Sequence, residues 1–234
     1  MSAVIGHNGP RLSIGIISAN LMNLGEDIAV LEKCGAKYAH FDVMDGHFAP
    51  PLTVGPAFIK AVKTSMLKDV HLMIDEPLAQ LADYAAAGAD IITVHAEACR
   101  HPHRTLQAIG ELPNANDARR PIVRGAALNP STPVEAIEPV LDVADFVLLV
   151  AINPGFPKQK FIDATAQRLE RLRALIAHTG RPIAIGIDGG VTKDNIGAVA
   201  ALRPDIIVSG SAVFEQGKIS ENYSTMKSGI TAAG

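Results

Sequence analysis

The chain has 234 residues, 48% of them hydrophobic, with a formal net charge of −3 and no run of lysine or arginine. That is ample material for one large core, and the charge balance argues against nucleic acid or an anionic membrane as partner. No stretch has signal-peptide or membrane-span character, and two cysteines, Cys34 and Cys99, read as unpaired thiols of a reducing compartment, so a cytoplasmic protein is expected.

Residues 1–11 read as a flexible extension of a single domain that occupies 1–234. Beyond them, short apolar runs predict strands near 13–18, 38–44, 69–73, 90–95, 122–128, 145–151, 182–187 and 205–209. Amphipathic segments predict helices near 25–34, 56–64, 77–87, 103–111, 133–141, 161–178 and 192–201, with a last one after 215. Pro77 and Pro133 suit helix starts, and Gly35 and Gly88 suit helix stops. Continuous apolar strands alternating with helices call for a parallel sheet covered on its outer face. Eight such units in about 220 residues fit a closed (β/α)8 TIM barrel better than an open doubly wound sheet. No Gly-x-Gly-x-x-Gly follows the first strand, so a dinucleotide fold gains little support. Barrels of this type place their chemistry at the C-terminal ends of the strands, where His40, Asp42, Met44, His71, Met73, His95 and Asp188 fall.

Side chains of a strand alternate between faces, so His40, Asp42 and Met44 point one way while Phe41 and Val43 point the other. The stretch Asp69-Val70-His71-Leu72-Met73 repeats the His-x-Met spacing on the next strand. Either histidine alone reads as a satisfied core residue. Together with Asp42 they read as most of a divalent-metal site suited to zinc, iron, cobalt or manganese. Asp188 precedes Gly189 and Gly190, which fits either a carboxylate reaching into the barrel mouth or a plain Asp-Gly turn. The last strand runs out into Val208–Phe214, and free N–H groups of the loops after strands seven and eight suit a phosphate without lysine or arginine. The loop Asn153–Phe161 is long enough for a lid hinged at Gly155, although composition equally allows a structural loop. Asp42 and Asp188, on strands three apart in the ring, suit proton removal from one face of a carbon and return on the other. Met44 and Met73 would line the plane of the intermediate, or simply fill the barrel.

These residues resemble those of the ribulose-5-phosphate 3-epimerase family. The likeness runs from Ile16-Ile17-Ser18-Ala19 through His40–Gly46, Val70–Met73, Val94–Glu97, Leu128–Pro130, Asn153–Phe156 and Asp188–Val191 to Gly210–Phe214. It implies a single (β/α)8 barrel that epimerises a ketose phosphate at C3, D-ribulose 5-phosphate to D-xylulose 5-phosphate, in the pentose phosphate pathway. It implies one divalent transition metal held by His40, Asp42, His71 and Asp188, with Asp42 and Asp188 as acid/base groups. Ser18 would contact a substrate hydroxyl, and backbone around Gly155, Gly189, Gly190, Gly210 and Ser211 would bind phosphate. A homo-oligomer is also expected. The pattern departs at Asn20, Pro51, Val150 and Gly186, and at Pro157 and Lys158, which stand where two glycines are usual; Lys158 offers a charge for the N–H lost at Pro157. Three other readings stay open: a paralogue acting on a tetrulose or hexulose phosphate such as allulose 6-phosphate, a metal-independent barrel isomerase or lyase, and a non-catalytic phospho-sugar binding protein.

Overall fold

The apolar runs pair in parallel and in chain order as β1 (Arg11–Gly15), β2 (Tyr38–Met44), β3 (Leu67–Met73), β4 (Ile91–His95), β5 (Val123–Leu128), β6 (Phe146–Val150), β7 (Ala184–Asp188) and β8 (Ile206–Ser209). β8 pairs back onto β1, closing an eight-stranded barrel. The computed structural model describes residues 4–6, 9–156 and 158–233. Between and after the strands lie α1 (Leu24–Lys33), α2 (Pro56–Ala61), α3 (Leu81–Ala86), α4 (Pro102–Glu111), α5 (Ala164–Thr179), α6 (Ile196–Ala201), α7 (Ser211–Phe214) and α8 (Ile219–Ala232). Among the described residues, no helix is long and apolar enough to cross a membrane.

The two helix-glycine-strand phrases of the sequence fold alike. After α1, Gly35 takes φ +81, its N–H bonds Glu32 O and the next N–H, of Ala36, bonds Leu31 O. After α3, Gly88 takes φ +92 and the same two bonds run from Gly88 and Ala89 to Ala85 and Tyr84. Each is a Schellman stop, which needs a left-handed residue that glycine supplies without a Cβ clash.

Three elements differ from the sequence expectation. The first strand runs 11–15, not 13–18, and Ile16–Ser18 form a 3₁₀ turn. Pairing to β8 ends at Ile14, where β8 itself ends at Ser209, and pairing to β2 ends at Gly15 although β2 runs on to Met44. The helix expected at 133–141 is a 3₁₀ stretch, Val134–Val140, with Pro139 inside it; proline has no N–H to give an α-helical ladder. The helix expected at 77–87 divides into a 3₁₀ turn, Pro77–Gln80, and α3.

Alternation divides the core into two. Outward side chains such as Phe41, Val43, Val70 and Leu72 pack under the helices. Inward, Tyr38, Ile91, Val123, Phe146, Ala184 and Ile206 pack together at the N-terminal end of the barrel. Val4 and Ile5, within the stretch expected as an extension, are buried in that same cluster, and the Tyr38 hydroxyl donates to Val4 O. Gly186 belongs here: a Cβ at this position would lie 2.5 Å from Phe146 Cζ and 2.8 Å from Leu148 Cδ1. Its missing side chain is the space that Phe146 fills. Gly186→Ala is therefore expected to destabilise the protein by about 1–3 kcal/mol through overpacking. Urea unfolding measures this, and Phe146→Leu in the same chain should recover part of the loss; an unchanged midpoint would mean the ring moves aside freely.

Candidate metal centre and active site

β2 and β3 pair in a register that sets His40 beside Asp69, Asp42 beside His71 and Met44 beside Met73. All six lie on the inward parity, so two adjacent strands deliver imidazoles and carboxylates to one end of the barrel. β7 adds Asp188 as its last residue. The result is a cluster of His40, Asp42, His71 and Asp188 with one ligand atom of each lying within 4.8 Å of every other. His40 Nε2 is 3.2 Å from Asp42 Oδ1 and 3.8 Å from Asp188 Oδ2, and His71 Nδ1 is 3.5 Å and 3.3 Å from the same two oxygens. Ligand atoms each about 2.1 Å from a tetrahedral ion stand roughly 3.4 Å apart. These four edges bracket that value. His71 Nδ1 is buried and has no hydrogen-bond partner, although two carboxylate oxygens are near it. An orphaned imidazole nitrogen aimed at two carboxylates is what a cation would satisfy, and the N₂O₂ donor set fits a divalent transition metal.

Both imidazoles are fully buried, while the Asp42 and Asp188 side chains keep 23% and 15% of their surface. The carboxylates are therefore the members of the cluster open to the mouth. Burial would raise the Asp42 pKa, but His40 and then His71 outweigh it and hold the carboxyl well below the usual range.

Two supporting groups went unassigned in the sequence. Asp69 accepts from His40 Nδ1 at 2.8 Å and from Ser13 Oγ at 2.9 Å, which turns His40 Nε2 toward the cluster. On the other side His71 Nε2 lies 2.9 Å from His95 Nε2, and His95 Nδ1 lies 3.2 Å from Glu97 Oε2. Burial pushes the His95 pKa down to about 4. Glu97 would be raised by burial, but bonds from His95, Thr132 and the Asn129 N–H bring it down to about 2. Parity was the signal that could have given Asp69 a role, and His95, already expected at a strand end, shares that inward face.

The rim carries the remaining predicted residues. Met73 is buried and Met44 half-buried above Asp42 and His71. Ser18 is brought against Gly210, where a Cβ would stand 2.6 Å from Ser18 Oγ and 2.4 Å from Gly15 O. Gly190 lies against the backbone of Lys160 and Phe161, and Gly189 against Ile152, each too close for a Cβ. Ser211 opens α7 and is exposed. Gly155 packs against Ala49, Pro50 and Pro51 of the loop after β2, so its need for glycine has a packing cause. Lys158 is exposed with φ +57, and Pro157 lies outside the described residues. Val150 is buried beside Asp188 on the neighbouring strand. Phe48 stacks obliquely on His95, ring centroids 4.6 Å apart. It also lines a hollow of about 480 Å³ with Gly46, Asn129, Pro130, Asn153 and Phe156.

Comparison with known proteins agrees with this architecture. Residues 11–214 match the model of the ribulose-phosphate 3 epimerase family. A ribulose-phosphate 3-epimerase of Rhodobacter capsulatus is 46% identical over 229 residues, 95% of each chain. One of Bacillus subtilis is 43% identical over 209 residues, 88% of this chain and 93% of that one. Among solved structures, 3-hexulose-6-phosphate synthase from Salmonella typhimurium superposes with a TM-score of 0.69 at 18% identity, covering 96% of this chain and 100% of its own; this likeness concerns the fold alone.

The charges of the centre give a pH expectation for metal-free protein. Burial would lower the His40 pKa, but Asp69 and then Asp42 raise it well above its ordinary 6.5. A raised folded-state pKa contributes stability that is fully present below pH 6.5 and is lost as pH climbs through the raised value. The Tm of the stripped protein should therefore fall on the alkaline side of 6.5. Zinc affinity should rise over the same range, because the ion displaces the proton. A metal-free Tm that stays flat or rises there would refute a protonated His40.

Proposed function

The chain belongs to the ribulose-phosphate 3-epimerase family, and from that premise we propose that it interconverts D-ribulose 5-phosphate and D-xylulose 5-phosphate by moving a proton at C3. The observation that carries this reading is the pair of carboxylates, Asp42 and Asp188, delivered by β2 and β7 to one centre and left open to the mouth.

The C3 hydrogen of a 2-ketose lies next to a carbonyl and is too weakly acidic for a carboxylate unaided. A bound divalent ion, zinc, iron, cobalt or manganese, supplies the positive charge that lowers this barrier. His40, Asp42, His71 and Asp188 would hold it. Asp188 and Asp42 act as the two acid/base groups: one removes the C3 proton from its face of the sugar, and the other returns a proton to the opposite face. Return from the opposite side is what inverts the carbon. Met44 and Met73 flank the flat enediolate without offering it a competing hydrogen bond. Backbone N–H groups around Gly189, Gly190, Gly210 and Ser211 bind the phosphate, and Ser18, held against Gly210, contacts a substrate hydroxyl. Burial of the His40 and His71 imidazoles keeps water away from the ligand nitrogens, and Phe48 covers His95. As a member of a family of bacterial sugar-phosphate enzymes, the chain would act in the cytoplasm.

Two experiments test the reading. Turnover in deuterated water should place deuterium at C3 of the product, and Asp42→Asn and Asp188→Asn should each lower kcat by several orders of magnitude; epimerised product without solvent hydrogen, followed by NMR, would exclude a two-carboxylate route. Lys158 probes the altered loop. If its ammonium meets the phosphate, Lys158→Ala should raise KM several-fold at unchanged kcat, less so at high salt. An unchanged KM would leave phosphate binding to the loops after β7 and β8.

A further inference from the structure

His71 offers the centre its Nδ1, the nitrogen with no hydrogen-bond partner, 3.3 Å from Asp188 Oδ2. Only a bare Nδ1 can ligate a cation, so the ring's one proton must sit on Nε2. Nε2 in turn faces another imidazole nitrogen, His95 Nε2, at 2.9 Å. Two nitrogens this close need one proton between them, and nothing in the contact itself decides which ring carries it.

The decision is made one residue further out. His95 is 0% exposed, and its two ring nitrogens face His71 Nε2 and Glu97 Oε2. Its Nδ1 lies 3.2 Å from Glu97 Oε2, an oxygen that can only accept. The proton of His95 is thereby drawn to Nδ1, leaving Nε2 bare to accept from His71 Nε2–H. Glu97 is itself held in place: its Oε1 accepts from the Asn129 N–H at 2.8 Å and from the Thr132 hydroxyl. Arg168 of α5 pins that loop, donating to Asn129 O at 2.6 Å and to Val150 O at 3.2 Å. The donors then converge on the Glu97 carboxylate, from Asn129 and Thr132 on one side and from His71 through His95 on the other. The opposite histidine needs no such chain, because His40 Nδ1 meets the Asp69 carboxylate directly.

We propose that His95 and Glu97 are positioning residues of the metal centre: Glu97 fixes the tautomer of His95, and His95 fixes His71 with Nδ1 bare toward the ion. The proposal rests on the metal-dependent reading above. Neither residue needs to touch substrate.

The test compares the stripped wild-type protein with His95→Phe, which keeps the ring without an acceptor, and His95→Gln, whose amide oxygen can take the place of Nε2. Zinc affinity is measured by competition with a chromophoric chelator, and the visible spectrum of the cobalt-loaded proteins reports ligand geometry. His95→Phe is expected to bind zinc about 10–100-fold more weakly, with kcat lowered at little-changed KM once zinc is saturating. His95→Gln should recover most of the affinity and the cobalt spectrum. Equal zinc binding in all three proteins would overturn the relay, and so would His95→Gln as weak as His95→Phe, since packing and not an acceptor would then matter. Should His95→Phe fail to fold, Glu97→Gln carries the comparison: weakened zinc binding in a cooperatively unfolding variant supports the relay, and wild-type binding overturns it. Wild-type protein that binds no zinc would overturn the metal centre itself, and the relay with it.

Discussion

A fully buried imidazole must have both of its nitrogens accounted for, because each is a strong polar group removed from water. His40 and His71 impose that demand at the heart of the barrel, and both are 0% exposed. For each ring one nitrogen is met by the protein, through Asp69 for His40 and through His95 for His71. The other nitrogen of each faces Asp42 and Asp188. Two imidazoles whose outward partners are already fixed cannot swing away from the two carboxylates, so the histidine side of the centre is held ready for a cation rather than assembled around it. The position of Ser13 under Asp69, and of the Asn129–Thr132 loop under Glu97, follows from the same demand.

The barrel tolerates this polar cluster because its other end is apolar. Tyr38 and His40 sit two residues apart on one strand, the first packed among Ile91, Phe146 and Ile206, the second ringed by carboxylates. One end of each strand thus contributes burial while the other contributes chemistry, as is usual for this architecture. Glycines mark places where the two purposes meet. Gly186 yields its interior volume to Phe146 just below Asp188, and Gly125 lies so close to Thr93 that a Cβ would fall 2.2 Å from its hydroxyl.

Much of this was legible in the sequence because a strand has a period of two. The parity of His40, Asp42 and Met44 against Phe41 and Val43 gave the inward face and, with His71, most of a metal site; the family resemblance added Asp188, and the count of strand-helix units gave closure. What escaped reading depended on contacts between distant segments. Asp69 looks like the polar start of a strand until its register beside His40 is known. His95 and Glu97 meet His71 only through the pairing of β4 with β3 and the return of the 129–132 loop. The retreat of the first strand to residue 15 coincides with the end of its neighbour β8 at Ser209, which no local pattern records. The 3₁₀ stretch around Pro139 is a different kind of miss, since the apolar spacing resembles an α-helix while one proline forbids its ladder.

That same period of two limits how a chain like this one can change. Adding or removing a single residue within β2 ahead of His40 would exchange the two faces, sending the imidazole and Asp42 out among the helices and turning Phe41 and Val43 toward the ion. The loss would be total rather than graded, whatever the residue inserted. The turns at Gly35 and Gly88 absorb length without touching parity, as do the loops beyond the strand ends. Insertions and deletions that survive in descendants of this sequence are therefore confined to the connections, and alignment gaps should respect the eight strands even where no residue identity remains.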